Sequence, residues 1–278
     1  MTREIIVESA PEETRVAVLE GGRVAELHVE RATDRSLVGN VYLARVDRVI
    51  PGMQSAFVDI GHERHAFLHV SDVLPFSERE SGSEVAKEED PGAPIETLLR
   101  KDQDVVVQVT REPFGTKGAR VTTHVTLPGK RVVYMPLSDH LGISKRISDD
   151  AQRQALRDVL LDIRTRVEGG VIVRTDALGA PPETIEAELS RLRDEWLAMK
   201  ARLLGASPPT LLREDEGIAL RVLRDSQAAE IERVVVDDEQ LHRRMIAWAG
   251  EHAPAAVSKI ALHGGVTGLF ESRGPRCA

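Results

Sequence analysis

Apolar and polar positions alternate through the first thirty residues, in Ile5-Ile6-Val7, Thr14 to Leu19 and Val24 to Val29. That period of two predicts half-buried strands. Gly21-Gly22 separates the second from the third and predicts a hairpin turn. Between Gly39 and Thr126 come VYLARVDRVI, SAFVDIG, HAFLHV, DVVVQVT and ARVTTHVTL, divided by turn residues such as Pro51-Gly52 and Gly115. Short strands with little helix between them predict a small barrel or sandwich. The polar stretch 77–97, SERESGSEVAKEEDPGAPIET, interrupts them. It holds too little apolar surface to offset its ordering entropy and is predicted as a mobile surface insertion.

After Gly129 the pattern changes. Ala155, Leu156, Val159, Leu160 and Ile163 recur at helical spacing within 149–166, and GGVIVRT at 169–175 reads as a short buried strand. From Pro182 to Leu204 the apolar positions Ile185, Leu189, Leu192, Trp196, Met199 and Leu203 repeat every three or four residues. Pro181-Pro182 suits the start of that helix and Gly205 its end, so the stripe is predicted to face a core. Ile218 to Leu223 reads as a strand, Arg233 to Val236 as another, 239–250 as a helix and Lys259 to Leu262 as a last strand. The fold class is mixed α/β, without an internal repeat.

A chain of 278 residues suffices for one large domain or two to three small ones. No apolar run reaches the roughly 18 to 20 residues of a membrane helix. The start, MTREIIVESAPEE, lacks the basic and apolar regions of a secretory signal. Cys277 is the only cysteine, which excludes an internal disulfide framework and a cysteine-based zinc cluster made by this chain alone, and suits a reducing, cytoplasmic setting. Net charge is −8, against a protein that coats nucleic acid uniformly. The average conceals an asymmetry: 76–104 holds nine acids and four bases, whereas 105–157 holds nine bases and four acids. Such a basic tract is either a solvated surface or a local polyanion site.

Tyr42, Phe57, Phe67, Phe76 and Phe114 put five of the nine aromatic rings within 42–114. Rings outward on a barrel and flanked by cations are what single-stranded nucleic acid requires, since bases stack on them while Lys and Arg neutralise phosphates. The competing reading is that they fill the barrel core. His62, His65 and His69 fall on strand and turn rather than on one helix face, which disfavours a metal site. The adjacent carboxylates Asp149-Asp150 and Asp237-Asp238 sit at helix starts and are read as caps. Asp59 is read as fixing a turn.

The run GNVYLARVDRVIPGMQSAFVDIGHERHAFLHVSDV resembles the S1-type RNA-binding domain, a five-stranded OB-fold barrel, over about 35 residues. The resemblance implies that Phe57 and Phe67 are stacking platforms and that Lys117, in FGTKGAR, contacts the RNA backbone. Together with TKGARVTTHVTLPGKRVVYMP, GISKRIS, GVIVRTDALG and SKIALHGGVTGLFE, nearly the whole chain is similar to the N-terminal half of the ribonuclease E/G family of bacterial endoribonucleases, which process ribosomal RNA precursors and initiate messenger RNA decay. That similarity implies an RNase H-like α/β subdomain built from 1–36 and 215–278 (with an atypical tail at 272–278), an S1-type domain at 37–126 inserted into it, and a 5′-sensor subdomain at 127–214. It implies a 5′-monophosphate pocket formed by Arg174 and Thr175, with Gly129 and Val133 shaping its wall. The guanidinium fork and the hydroxyl suit phosphate oxygens. Arg146 carries over as a further RNA-contacting base.

The family's paired aspartates that hold magnesium, and the Cys-Pro-x-Cys zinc link that joins its protomers, have no counterpart in this sequence. No catalytic residue and no metal ligand is therefore assigned, and the expectation is a chain that stops before its catalytic aspartates. The leading reading is an RNA-binding protein of this family that acts on single-stranded RNA with 5′-monophosphate sensing, with no DNA ligand and no membrane segment. Homo-oligomers are a property of the family and stay open for this chain. The alternative is a non-catalytic S1-type adaptor blind to the RNA end; a third reading is a truncated product with an unstable core.

Overall fold

The computed structural model describes residues 2–31, 36–74, 93–164, 167–226, 230–264 and 269–270. Phe76, most of the expected insertion and the 272–278 tail with Cys277 lie outside the described residues. The chain divides into two compact units, 1–36 with 216–278, and 37–215.

The first unit is a five-stranded sheet under helices. Its strands are β1 (Arg3–Ser9), β2 (Glu13–Glu20), β3 (Arg23–Arg31), β14 (Ile231–Val236) and β15 (Ile260–Leu262). Their order is β15-β14-β1-β2-β3, with β1, β2 and β3 antiparallel in sequence and β1, β14 and β15 parallel. Gly21 and Gly22 turn β2 into β3 with φ of 58° and 78°, the left-handed backbone that a two-residue type I′ turn needs. On one face Ile5, Val7, Val16, Val18, Val234 and Val236 form a core with three helices: α4 (Ile218–Asp225), α5 (Glu239–His252) and α6 (Pro254–Val257). On the other, Ile6, Ala17, Leu19 and Val235 meet Leu269.

The segment Ile218–Leu223, expected as a strand, is helix α4. Ala219, Leu220, Val222 and Leu223 are buried, a spacing that lines one helical face, and a short apolar run does not separate that pattern from a buried strand. Gly217 opens the helix at φ 78°, and Arg224 near its end is buried against Glu216 at 3.0 Å.

The second unit contains a closed five-stranded barrel: β4 (Val41–Ile50), β5 (Ser55–Asp59), β6 (Ala66–His69), β7 (Asp104–Arg111) and β8 (Arg120–Thr122). The barrel closes because β7 pairs with β4 as well as with β8, and β6 lies parallel to β8. Counted within the barrel the order is 1-2-3-5-4-1, the OB-fold arrangement. Its interior is Ala44, Val46, Ala56, Val58, Ala66, Leu68, Val107 and Val121, every second residue of each strand. The last residues of the expected insertion are ordered: Ile95 of α1 (Ile95–Leu98) is fully buried in that core, and its N–H is held by the Gln54 side chain at 3.0 Å.

The run ARVTTHVTL does not continue as one strand. Gln108 takes the Thr126 N–H at 2.8 Å, and Thr123 N–H donates to Asp72 O at 2.8 Å. The chain therefore bends between β8 and β9 (Leu127–Pro128). It enters a four-stranded sheet ordered β11 (Leu141–Ile143), β12 (Gly170–Val173), β10 (Val132–Met135), β9. Helices α2 (Asp150–Arg164) and α3 (Pro182–Leu203) bury Leu156, Leu160, Ile163, Ile185, Leu189, Leu192, Trp196 and Met199 against it. At about 1.5–3 kcal/mol per large side chain, this stripe is the main attachment of α3. A last strand, β13 (Thr210–Arg213), adds to β4 at the barrel's side.

Candidate nucleic-acid interface

On β5 and β6 the small or apolar residues Ala56, Val58, Ala66 and Leu68 point inward, so strand alternation turns Phe57 and Phe67 outward. The two stand directly opposite in the register, half-buried, with ring centroids 5.9 Å apart and planes at 69°. The contact is edge-to-face, the arrangement that aromatic pairs favour. The register extends this pair across the barrel: Arg48 on β4 is opposite Phe57, Arg120 on β8 is opposite Phe67, and Arg111 on β7 is opposite Arg120. The Arg48 guanidinium lies 5.7 Å from the Phe57 centroid, a cation–π distance. Arg120 is paired with Asp72 at 2.6 Å, and the His69 ring lies 6.5 Å from Phe67. Arg48 and Arg120 were not singled out in the sequence. Both follow from strand register, which no local motif contains.

The other rings divide. Tyr42 is 5 % exposed in the barrel core, where its hydroxyl meets Asn40 and His62, each at 3.2 Å, and burial raises its ionisation above the ordinary range. Phe114 is 85 % exposed on the hairpin that carries Lys117, and the two residues exchange backbone hydrogen bonds of 3.1 and 2.9 Å around Gly115 at φ 57°. Arg64 donates to the Gly115 carbonyl. Lys117 is exposed at that tip.

A second group gathers at one end of the β10–β12 pair. Arg174 follows β12, and its guanidinium donates to Gly129 O at 2.6 Å. Thr175 begins a single helical turn beside it, and Val133 on β10 is half-buried opposite Ile172. Gly129 is buried, and a Cβ there would fall 2.2 Å from Glu188 Oε1. Ser144 N–H bonds Val173 O at 2.8 Å, which brings the exposed Arg146 segment to the same end. The structure thus brings Gly129, Val133, Arg174 and Thr175 together, while Phe57, Phe67 and Lys117 belong to the barrel.

Among the described residues no group of three or more His, Cys, Asp or Glu is arranged to hold a metal ion. His62 meets Tyr42, His65 meets Asp47 at 3.2 Å and His69 meets Ser71 at 2.8 Å. Asp238 caps α5 through Leu241 N–H at 2.6 Å, Asp149 accepts from Gln152 N–H at 2.8 Å, and Asp59 holds the turn at Gly61 N–H, 2.8 Å. These donors do not fit a magnesium site. No helix among the described residues is long and apolar enough to cross a membrane.

A family model, the Ribonuclease E/G family, matches residues 126–274. The chain is 38% identical over 271 residues to "Ribonuclease G" of Escherichia coli (strain K12), covering 98% of this chain and 55% of the relative. It is 36% identical over 271 residues to "Ribonuclease G" of Haemophilus influenzae, with the same shares, 98% and 55%. It is 36% identical over 262 residues to "Ribonuclease E" of a Nostoc species, covering 92% of this chain and 36% of that relative. The chain spans about half the length of the Ribonuclease G relatives it matches. An OB-type barrel with outward paired rings, a sheet carrying the GVIVRT arginine, and a family match over more than half the chain agree: this protein belongs to the Ribonuclease E/G family.

Proposed function

We propose that this chain is the RNA-binding portion of an endoribonuclease of its family, acting in the cytoplasm on single-stranded RNA with a 5′-monophosphate. The observation that carries the reading is the outward pair Phe57 and Phe67, with the Arg48 cation over one ring. Unpaired bases stack on the two rings, Arg48 and Lys117 neutralise backbone phosphates, and Arg146 is a further RNA-contacting base near Arg174. Arg174 and Thr175 receive the 5′-phosphate oxygens, with Gly129 and Val133 as the wall. In this reading 1–36 and 215–278 form the RNase H-like subdomain, 37–126 the S1-type domain and 127–214 the 5′ sensor. Magnesium supplies water activation in such nucleases. Among the described residues no group of three or more ligating side chains is assembled for it, and no hydrolytic step is assigned to them.

The test is binding of a fluorescent, unstructured oligoribonucleotide. Phe57→Ala and Phe67→Ala should each weaken it about fivefold or more, since a stacked base contributes roughly 1–3 kcal/mol. Unchanged affinity in the double variant, with a native melting curve, would sink the reading. The second reading, an adaptor blind to the RNA end, is favoured by the engagement of Arg174 with the Gly129 carbonyl at 2.6 Å. It requires equal affinity for 5′-monophosphate and 5′-hydroxyl RNA.

A further inference from the structure

Arg131 lies in the turn between β9 and β10, which Gly129 N–H closes on Val132 O at 2.8 Å. The β10–β12 register pairs Val132 with Val173. One residue beyond, Arg131 therefore stands opposite Arg174, and the Arg174 N–H donates to Arg131 O at 2.7 Å. This backbone bond ties the turn before β10 to the segment that follows β12, so the two arginines start from neighbouring backbone. Both side chains converge on Gly129 and Glu188, Arg174 through the Gly129 carbonyl and Arg131 through the Glu188 carboxylate that lies beside Gly129.

Glu188 of α3 only partly relieves this. Its Oε1 accepts from Arg131 N–H at 2.9 Å, and its Oε2 lies 3.4 Å from Arg131 Nη1, long for an ion-paired contact. The Arg131 Nε is buried and has no partner. A charged donor left bare in a side chain only 26 % exposed is costly, and another acceptor oxygen would satisfy it. Gly129 is where the group converges: Arg174 Nη1 bonds its carbonyl at 2.6 Å, while Glu188 Oε1 occupies the side on which a Cβ would project.

We infer that Arg131 is a second phosphate-binding guanidinium of this pocket and that its ligand is a terminal phosphomonoester, an inference resting on the 5′-monophosphate reading above. A phosphomonoester dianion presents three non-bridging oxygens. One suits the Arg174 guanidinium, one the Thr175 hydroxyl, and the third the accessible part of the Arg131 guanidinium. An internal phosphodiester has two such oxygens and a single charge, and a 5′-hydroxyl has none, so the added arginine sharpens discrimination of the end group. The Glu188 carboxylate then has two effects: it orients the Arg131 backbone, and its charge opposes the incoming dianion.

The experiment compares affinities of the whole chain for one oligoribonucleotide carrying either a 5′-monophosphate or a 5′-hydroxyl. Wild type should prefer the phosphate, and Arg131→Gln should cut that preference about tenfold, the order of one lost hydrogen bond to a charged group, while 5′-hydroxyl affinity stays constant. A preference untouched by Arg131→Gln but removed by Arg174→Ala would overturn the role of Arg131 and leave the pocket standing. Equal wild-type affinity for both ends would overturn the pocket itself. Should Arg131→Gln melt early, Glu188→Gln decides: it keeps an acceptor for the Arg131 N–H, removes the opposing charge and should strengthen the preference several-fold. No change there would refute the inference.

Discussion

Gly118 shows how a single atom positions the Lys117 hairpin. A Cβ at this residue would lie 2.0 Å from the His65 carbonyl oxygen, a backbone atom with no freedom to move aside. The hairpin therefore runs flush along the end of β6, which keeps Lys117 and Phe114 beside the barrel. Gly118→Ala should force the two strands apart and destabilise the protein by at least about 1–3 kcal/mol, read as a fall in melting temperature. A melting curve identical to wild type would refute this close packing. The residues around Phe57 and Phe67 left both a core and an outward placement open, and only the S1-type resemblance implied the outward one; the strand register of the closed barrel decides it. Arg48 and Arg131 were not legible. Each acquires its neighbours through strand pairing, with residues nine and 43 positions away.

Elements whose period is long enough to count were readable. Helix α3 carries its stripe over 22 residues, and α5 begins where Asp238 follows a strand. Asp238 accepts the Leu241 N–H with the extended backbone of an N-cap. Asp238→Ala should cost about 1 kcal/mol of stability through the lost cap, measured by denaturant midpoint. Substitution without effect would mean that the cap is replaced by solvent. Helix α4 was misread because its eight residues are too few for period two and period 3.6 to diverge. Helix α1 was missed because Pro94-Ile95 belongs by composition to the polar insertion, yet Ile95 closes the barrel core.

At the scale of the molecule, the first unit joins strands distant in sequence. Asp237, one residue past β14, accepts the Ser9 N–H from the end of β1 at 2.8 Å. Burial, with Glu8 nearby, raises its carboxyl above the ordinary value of 3.8, against the lowering by the Ser9 bond. The folded state therefore binds this proton more tightly than the unfolded chain. The stability it contributes is full below the ordinary value and is lost as pH rises through the raised one. Asp237→Asn keeps the acceptor and removes the charge, so its melting temperature relative to wild type should climb as pH rises above the ordinary carboxyl value of 3.8. A pH-independent difference would show that the carboxyl is not held above its ordinary value. The parallel pairing of β1 with β14 spans more than 220 residues, and no periodicity announces such a partner.

By itself the sequence determined the β-rich first half, the α/β second half, the rings at 57 and 67, and the family resemblance, because alternation, helical stripes and contiguous motifs are local properties of the chain. Only the tertiary structure decided which cations join those rings, that Ile218–Asp225 is helical, that Tyr42 is core, and that the Arg174 N–H bonds the Arg131 carbonyl. Closing the barrel and pairing β10 with β12 are long-range events. Their register is set by side chains packing across strands, and that information is spread over the whole fold.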